Sequence, residues 1–176
     1  MSGHNKFSKI KHLKAKTDAQ KSKVFTKYVR LISMEAKKAN GNLSSPSLKA
    51  AMDKAREVNM PNDTIDRAVK KATEAGSAVM DSVVYETYGP GGVAIMIDAL
   101  TDSRNRTSQE IKHLLSKNGY ELAAQGSASW AFTKTHEGWT PNTTMPLEDA
   151  DIEKLQALIE ELENNDDVQE IYTNAE

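Results

Sequence analysis

The chain has 176 residues, 38% apolar and 6% aromatic, enough for one ample domain or two small ones. It contains no cysteine, which excludes disulfides, thiolate metal sites and cysteine nucleophiles and fits a reducing compartment. Its formal net charge of −2 hides a split: residues 1–76 hold 17 Lys and Arg against 7 Asp and Glu, whereas residues 77–176 hold 6 against 18.

A half at +10 joined to a half at −12 implies a polyanionic partner for the first half. No apolar run approaches the roughly 18 residues of a membrane span. The N-terminal lysines are followed by no apolar stretch of the secretory kind. The expectation is a cytoplasmic protein with no membrane partner, no cofactor and no small-molecule substrate.

Residues 1–16 carry only Phe7, Ile10 and Leu13 among many lysines and read as a basic arm, too polar to pack alone. From Asp18 to Ala39 the pattern becomes helical. Phe25, Tyr28, Val29, Ile32, Ala36 and Ala39 recur at helical spacing on one stripe. Lys23, Lys27, Arg30 and Lys37 fall on the opposite side. Asn40-Gly41 ends this helix, because these residues tolerate a left-handed backbone. Ser45-Pro46 opens a second, with serine as cap and Leu48, Ala51, Met52 and Ala55 inward. Pro61 opens a third, with Ile65, Ala68, Val69 and Ala72 inward and Gly76 as its stop.

After Gly76 the periods change. Val83–Tyr88 and Val93–Ala99 are strand-like runs separated by the turn Gly89-Pro90-Gly91-Gly92. Thr107 and Glu110 have the spacing of a capping box before a helix that buries Ile111, Leu114 and Leu115 and stops at Gly119. Ser127–Thr133 reads as a third strand, with Trp130 and Phe132 on one face. Pro141 and Pro146 bracket a loop or irregular edge strand. Asp149 and Asp151 open a helix with Ile152, Leu155, Leu158, Ile159 and Leu162 inward, and Val168–Thr173 is a last strand. The predicted class is α+β: an N-terminal three-helix bundle, then an antiparallel sheet in the order β-β-α-β-α-β, covered by two helices.

The best candidate site is the arm with the first helix: Lys6, Lys9, Lys11, His12, Lys14, Lys16, Lys21, Lys23, Lys27 and Arg30. Phosphate neutralisation needs cations in number rather than exact geometry. Lysine outnumbers arginine here, which favours backbone contact over bidentate base reading. Arg104 and Arg106 form a basic pair in the acidic half and extend the candidate surface. Gly89-Pro90-Gly91-Gly92 lacks the lysine and following helix of a phosphate loop and reads as a structural turn. A third possibility is an enzyme built on Asp98, Asp102 and His113, although no nucleophile or metal-ligand set accompanies them.

Several stretches resemble the YebC/PmpR family. They are Gly3-His4-Asn5-Lys6-Phe7 running to Ile10-Lys11-His12, Lys23-Val24-Phe25-Thr26-Lys27, Tyr88-Gly89-Pro90-Gly91-Gly92 and Asp102-Ser103-Arg104-Asn105-Arg106-Thr107. Asn59-Met60-Pro61, Ser116-Lys117-Asn118-Gly119 and Asp166-Asp167-Val168-Gln169 agree as well. The resemblance implies a helical first domain, an α+β second domain and, in most members, a third domain inserted into the second. Here Lys134 passes almost directly into Trp139, as in a short form without that insert near 135–139. Phe7 and Leu13 also stand where the family usually has tryptophan and arginine.

The implied organisation is a basic arm over 1–16, a helical nucleic-acid-binding domain over 17–76 and a sheet domain over 80–176. The implied function is non-enzymatic: a DNA-binding transcriptional regulator, with a ribosomal-RNA or ribosome-binding translation factor as the alternative.

Overall fold

The structure, a computed structural model, describes residues 18–176, with side chains from Lys21 onward. The chain divides into two compact units, residues 18–82 with Leu100–Ser103, and Val83–Ala99 with Arg104–Glu176.

The first unit is helical: α1 (Asp18–Lys38), α2 (Pro46–Glu57) and α3 (Asn62–Thr73). Its core is the stripe that helical spacing selects: Ile32 and Ala36 from α1, Leu48, Ala51, Met52 and Ala55 from α2, and Ile65, Ala68, Val69 and Ala72 from α3, with Met60 between. Phe25, Tyr28 and Val29 pack against it half-buried. α1 ends as expected: Asn40 and Gly41 take φ of 49° and 76°, and the Gly41 N–H closes on the Ala36 carbonyl at 2.9 Å. Two details differ. Ser45 occupies the cap position of α2 but makes no side-chain cap bond; its hydroxyl lies 3.3 Å from that of Ser47. α3 stops at Thr73, before Gly76, where the Thr73 hydroxyl bonds back to the Lys70 carbonyl at 2.9 Å.

The second unit is built on a four-stranded sheet of β1 (Asp81–Tyr88), β2 (Ala94–Thr101), β3 (Leu122–Ala123) and β6 (Val168–Thr173), in the order β3-β1-β2-β6. β1 pairs with β3 and β2 with β6, both antiparallel, and a bulge interrupts the second ladder at Asp98/Ala99. α4 (Arg104–Lys117) and α5 (Asp149–Glu163) cover one face. Ile95, Ile97 and Ala99 of β2 meet Ile111, Leu115, Leu155, Leu158 and Leu162 there. The alternate residues Ala94 and Met96 face the other way, onto Ala128, Ala131, Phe132, Trp139 and Tyr172. β2 is buried on both sides, which is why it reads as a nearly continuous apolar run. The class is α+β, as the sequence indicates.

The stretch Ser127–Thr133 is not a third strand. Leu122–Ala123 takes that place in the sheet, Ser129–Ala131 is a 3-10 turn, and β4 (Phe132–Thr135) pairs with β5 (Gly138–Pro141) in a separate hairpin. The reason lies in Glu86, whose buried carboxylate accepts the N–H groups of Gly126, Ala128 and Ser129 at 2.8, 2.7 and 2.9 Å. Donors that a ladder would need are bound to a side chain instead. Trp130 is 62% exposed and Phe132 5%, so the two rings do not share a face.

The capping box is absent as well. Thr107 lies a turn inside α4, fully buried, and donates to Asp167 Oδ2 at 2.5 Å, while Glu110 accepts from the Asn165 side chain at 2.7 Å. The two groups tie α4 to the approach of β6 rather than capping the helix.

Candidate nucleic-acid interface

Lys6, Lys9, Lys11, His12, Lys14 and Lys16 lie outside the described residues. On α1, Lys21 is exposed and Lys23, Lys27 and Arg30 are half-buried; all four take part in further interactions within the chain. Lys37 departs from the expected cationic side. Its ammonium donates to the Ser77 carbonyl at 2.6 Å and hydroxyl at 2.9 Å, and the Ser77 hydroxyl donates to the Ala72 carbonyl at 2.7 Å. Lys37 is therefore a tie between α1 and the segment after α3.

The helical unit carries cations that the sequence reading did not single out. Lys49 and Lys54 on α2 and Lys70 and Lys71 on α3 are exposed. Arg56 and Arg67, also exposed, pair with Asp53 at 2.7 Å and Asp63 at 3.3 Å. The signal was available, since these residues occupy the positions that the apolar stripes leave outward. It was obscured by the denser run of lysines upstream.

Arg104 and Arg106 part company. Arg104, exposed at the start of α4, offers its backbone carbonyl to the Tyr85 hydroxyl at 3.4 Å. Arg106 binds Asp167 at 2.9 Å and approaches Glu110 at 3.8 Å; the Asp167 side chain is only 3% exposed. The guanidinium is thus held by a buried carboxylate that also accepts from Thr107.

Asp98 and His113 are not brought together as a site. Asp98 faces the β4–β5 hairpin, where its carboxylate accepts the Trp139 indole N–H at 3.1 Å. Burial pushes its carboxyl above the usual range, and the Trp139 bond and the charge of Lys134 pull the other way. His113 is exposed on α4, which packs on the opposite face of the sheet. Asp102 is exposed in the turn before α4. Among the described residues no group of three or more His, Asp or Glu is placed to hold a metal ion. The Gly89–Gly92 stretch forms a 3-10 turn under Leu147, so close that a Cβ on Gly91 would overlap that side chain.

Two further groups, Glu86 and Asp167, are 4% and 2% exposed, and the sequence reading gave neither a role. A glutamate alternating with apolar residues in a strand reads as an outward polar position. Only the turn that folds over Glu86 makes it internal.

Comparison with known proteins adds five findings. A family described as the TACO1/YebC protein N-terminal domain matches residues 5–75. One described as the TACO1/YebC second and third domain matches in two stretches, 80–138 and 134–175, which meet at the β4–β5 hairpin. A probable transcriptional regulatory protein of Fervidobacterium nodosum is 37% identical over 235 residues, covering 99% of this chain and 93% of the relative. Another of that name, from Thermotoga petrophila, is 44% identical over 179 residues, covering 100% of this chain and 71% of the relative. The crystal structure of a conserved hypothetical protein from Aquifex aeolicus superposes with a TM-score of 0.83 at 30% identity, covering 95% of each chain. Among the described residues no helix is long and apolar enough to cross a membrane.

Proposed function

The chain belongs to the TACO1/YebC family, and on that premise we propose that it is a non-enzymatic regulator of gene expression that holds duplex DNA by its phosphates. The observation that carries this reading is the charge split, +10 over residues 1–76 against −12 over the rest. The names of the relatives, probable transcriptional regulatory proteins, support the same class of function. In this reading residues 1–16 are a basic arm, 17–76 the binding domain and 80–176 a sheet domain without the family's inserted third domain.

The phosphates are met by the arm lysines Lys6, Lys9, Lys11, Lys14 and Lys16 with His12, and by Lys21, Lys23, Lys27 and Arg30 on α1. Arg104 adds a further cation, whereas the charge of Arg106 is already largely balanced by Asp167. Lysine ammonium groups neutralise phosphate without a fixed fork geometry, so affinity is strong and sequence preference weak.

The test is the salt dependence of binding to duplex DNA, with ribosome co-sedimentation as the competing arm. Changing Lys23, Lys27 and Arg30 together to Gln is expected to lower the log–log slope by about 0.9 for each phosphate no longer neutralised. An unchanged slope removes α1 from the interface. Retention on ribosomes under conditions where duplex DNA is not bound replaces DNA by ribosomal RNA as the partner.

A further inference from the structure

On the sheet unit, Trp130 is 62% exposed and Tyr88 38%, and both are locked in place. The Trp130 indole N–H donates to the Tyr88 hydroxyl at 2.9 Å, and that hydroxyl donates to the Ser127 carbonyl. The turn carrying Trp130 is held by the three backbone N–H bonds to Glu86, and it rests on Ala128 and Ala131, both fully buried. A large ring is thus held at the surface by a turn that a buried carboxylate fixes. Because its N–H is satisfied internally, the ring offers a partner its π face.

The chemistry around it selects that partner. The β1–β3 register sets Thr87 opposite Leu122, so Tyr88 and Glu121 are the next pair outward on one face. The Thr87 hydroxyl reaches the Glu121 carbonyl at 2.7 Å, and the Glu121 side chain is exposed. Of the stretches that build the platform, 83–88 and 118–132, neither contains lysine or arginine; Glu86 is buried under the turn, and Glu121 is the exposed acid. A surface that stacks nucleobases carries cations to follow the backbone; these two stretches carry none and show the carboxylate of Glu121 instead. We propose that Trp130, Tyr88 and Glu121 form a docking site for an arginine-bearing basic segment of a partner protein, whose guanidinium lies over the indole and is balanced by the Glu121 carboxylate. The site is independent of the phosphate-binding function assigned to the helical unit.

The experiment uses the full chain at low ionic strength with three labelled probes: a dodecapeptide of alternating Arg and Ser, its Lys counterpart, and a single-stranded oligonucleotide. The chain is expected to prefer the Arg peptide over the Lys peptide by about two- to fivefold, the worth of one exposed cation–π contact. Trp130→Phe keeps the preference. Trp130→Ala abolishes it, and so does Trp130→Leu, which retains apolar bulk without a π face and separates stacking from packing. Glu121→Gln weakens both peptides. An Arg preference unchanged in Trp130→Ala and Trp130→Leu overturns the proposal. So does an oligonucleotide that loses affinity with Trp130 while the peptides do not, or a Trp130-dependent dimer in sedimentation, which would make the occupant a second copy of this chain.

Discussion

The helical unit and the sheet unit use charge in opposite ways. In the sheet unit two carboxylates are buried: Glu86 anchors a turn through three N–H bonds, and Asp167 joins Arg106 and Thr107. In the described helical unit no charged side chain is buried, and its lysines lie at or near the surface. Their cores differ too. Five of the eleven buried residues of the helical core are alanines: Ala36, Ala51, Ala55, Ala68 and Ala72. The helix-facing cluster of the sheet unit has two among thirteen, Ala99 and Ala175, and is otherwise built of larger side chains. Small residues let helices approach closely at the cost of apolar area. The difference teaches that a charge change should act on folding in the sheet unit and, in the helical unit, on the proposed phosphate contacts rather than on the core.

The sharpest way to break this contrast is Glu86→Ala, which leaves three N–H groups of the turn without their acceptor. It is expected to destabilise the sheet unit by about 4 kcal/mol. Tryptophan emission during urea unfolding checks it, because Trp130 and Trp139, the two tryptophans of the chain, both lie in that unit. A midpoint close to that of the unsubstituted chain would show that the carboxylate is not what holds the turn.

Next is Ala55→Leu in the helical core, where Ala55 is fully buried. Overpacking there should cost about 2 kcal/mol, read as a lower midpoint in circular dichroism at an unshifted tryptophan transition. Phe25→Ala should cost less than the full-burial range of about 3–5 kcal/mol, since Phe25 is only half-buried.

Asp98 supplies a pH test of the sheet unit. Its carboxyl is raised in the folded state, chiefly by burial, so the native protein holds that proton more tightly than the unfolded chain. Its contribution to stability therefore falls as pH rises from the ordinary carboxylate value through the raised one. Asp98→Asn keeps an acceptor for the Trp139 N–H. It should stabilise the protein at neutral pH, with a gain that fades below the ordinary carboxylate range; a gain independent of pH would assign the effect to packing.

Smallest is Lys70→Gln with Lys71→Gln on α3, both exposed. Stability should change by less than about 0.5 kcal/mol. A larger loss would show that surface cations support the helical fold.

The sequence by itself determined the division of charge, the three helices of the first unit and their core stripe. It determined the central strand β2, α5 and the last strand as well. These follow from periodicity and turn residues, which act over a few neighbouring positions: Ile32 and Ala36, or Ile65 and Val69, need only helical spacing to share a face. The proposal that the cations of α1 meet phosphate also comes from the sequence, because such binding depends on charge number.

What tertiary structure decided are the places where a distant side chain overrides a local preference. Glu86 captures the N–H groups of residues forty positions away and turns an expected strand into a 3-10 turn, leaving Trp130 outside and Phe132 inside. Asp167 takes Thr107 from a cap to a buried bond and draws on Arg106. Ser77 converts Lys37 from a surface cation into a tie. Each depends on contacts between residues far apart in the chain, which local spacing does not encode. A buried hydrogen bond to a charged group outweighs the fraction of a kilocalorie that separates one local conformation from another.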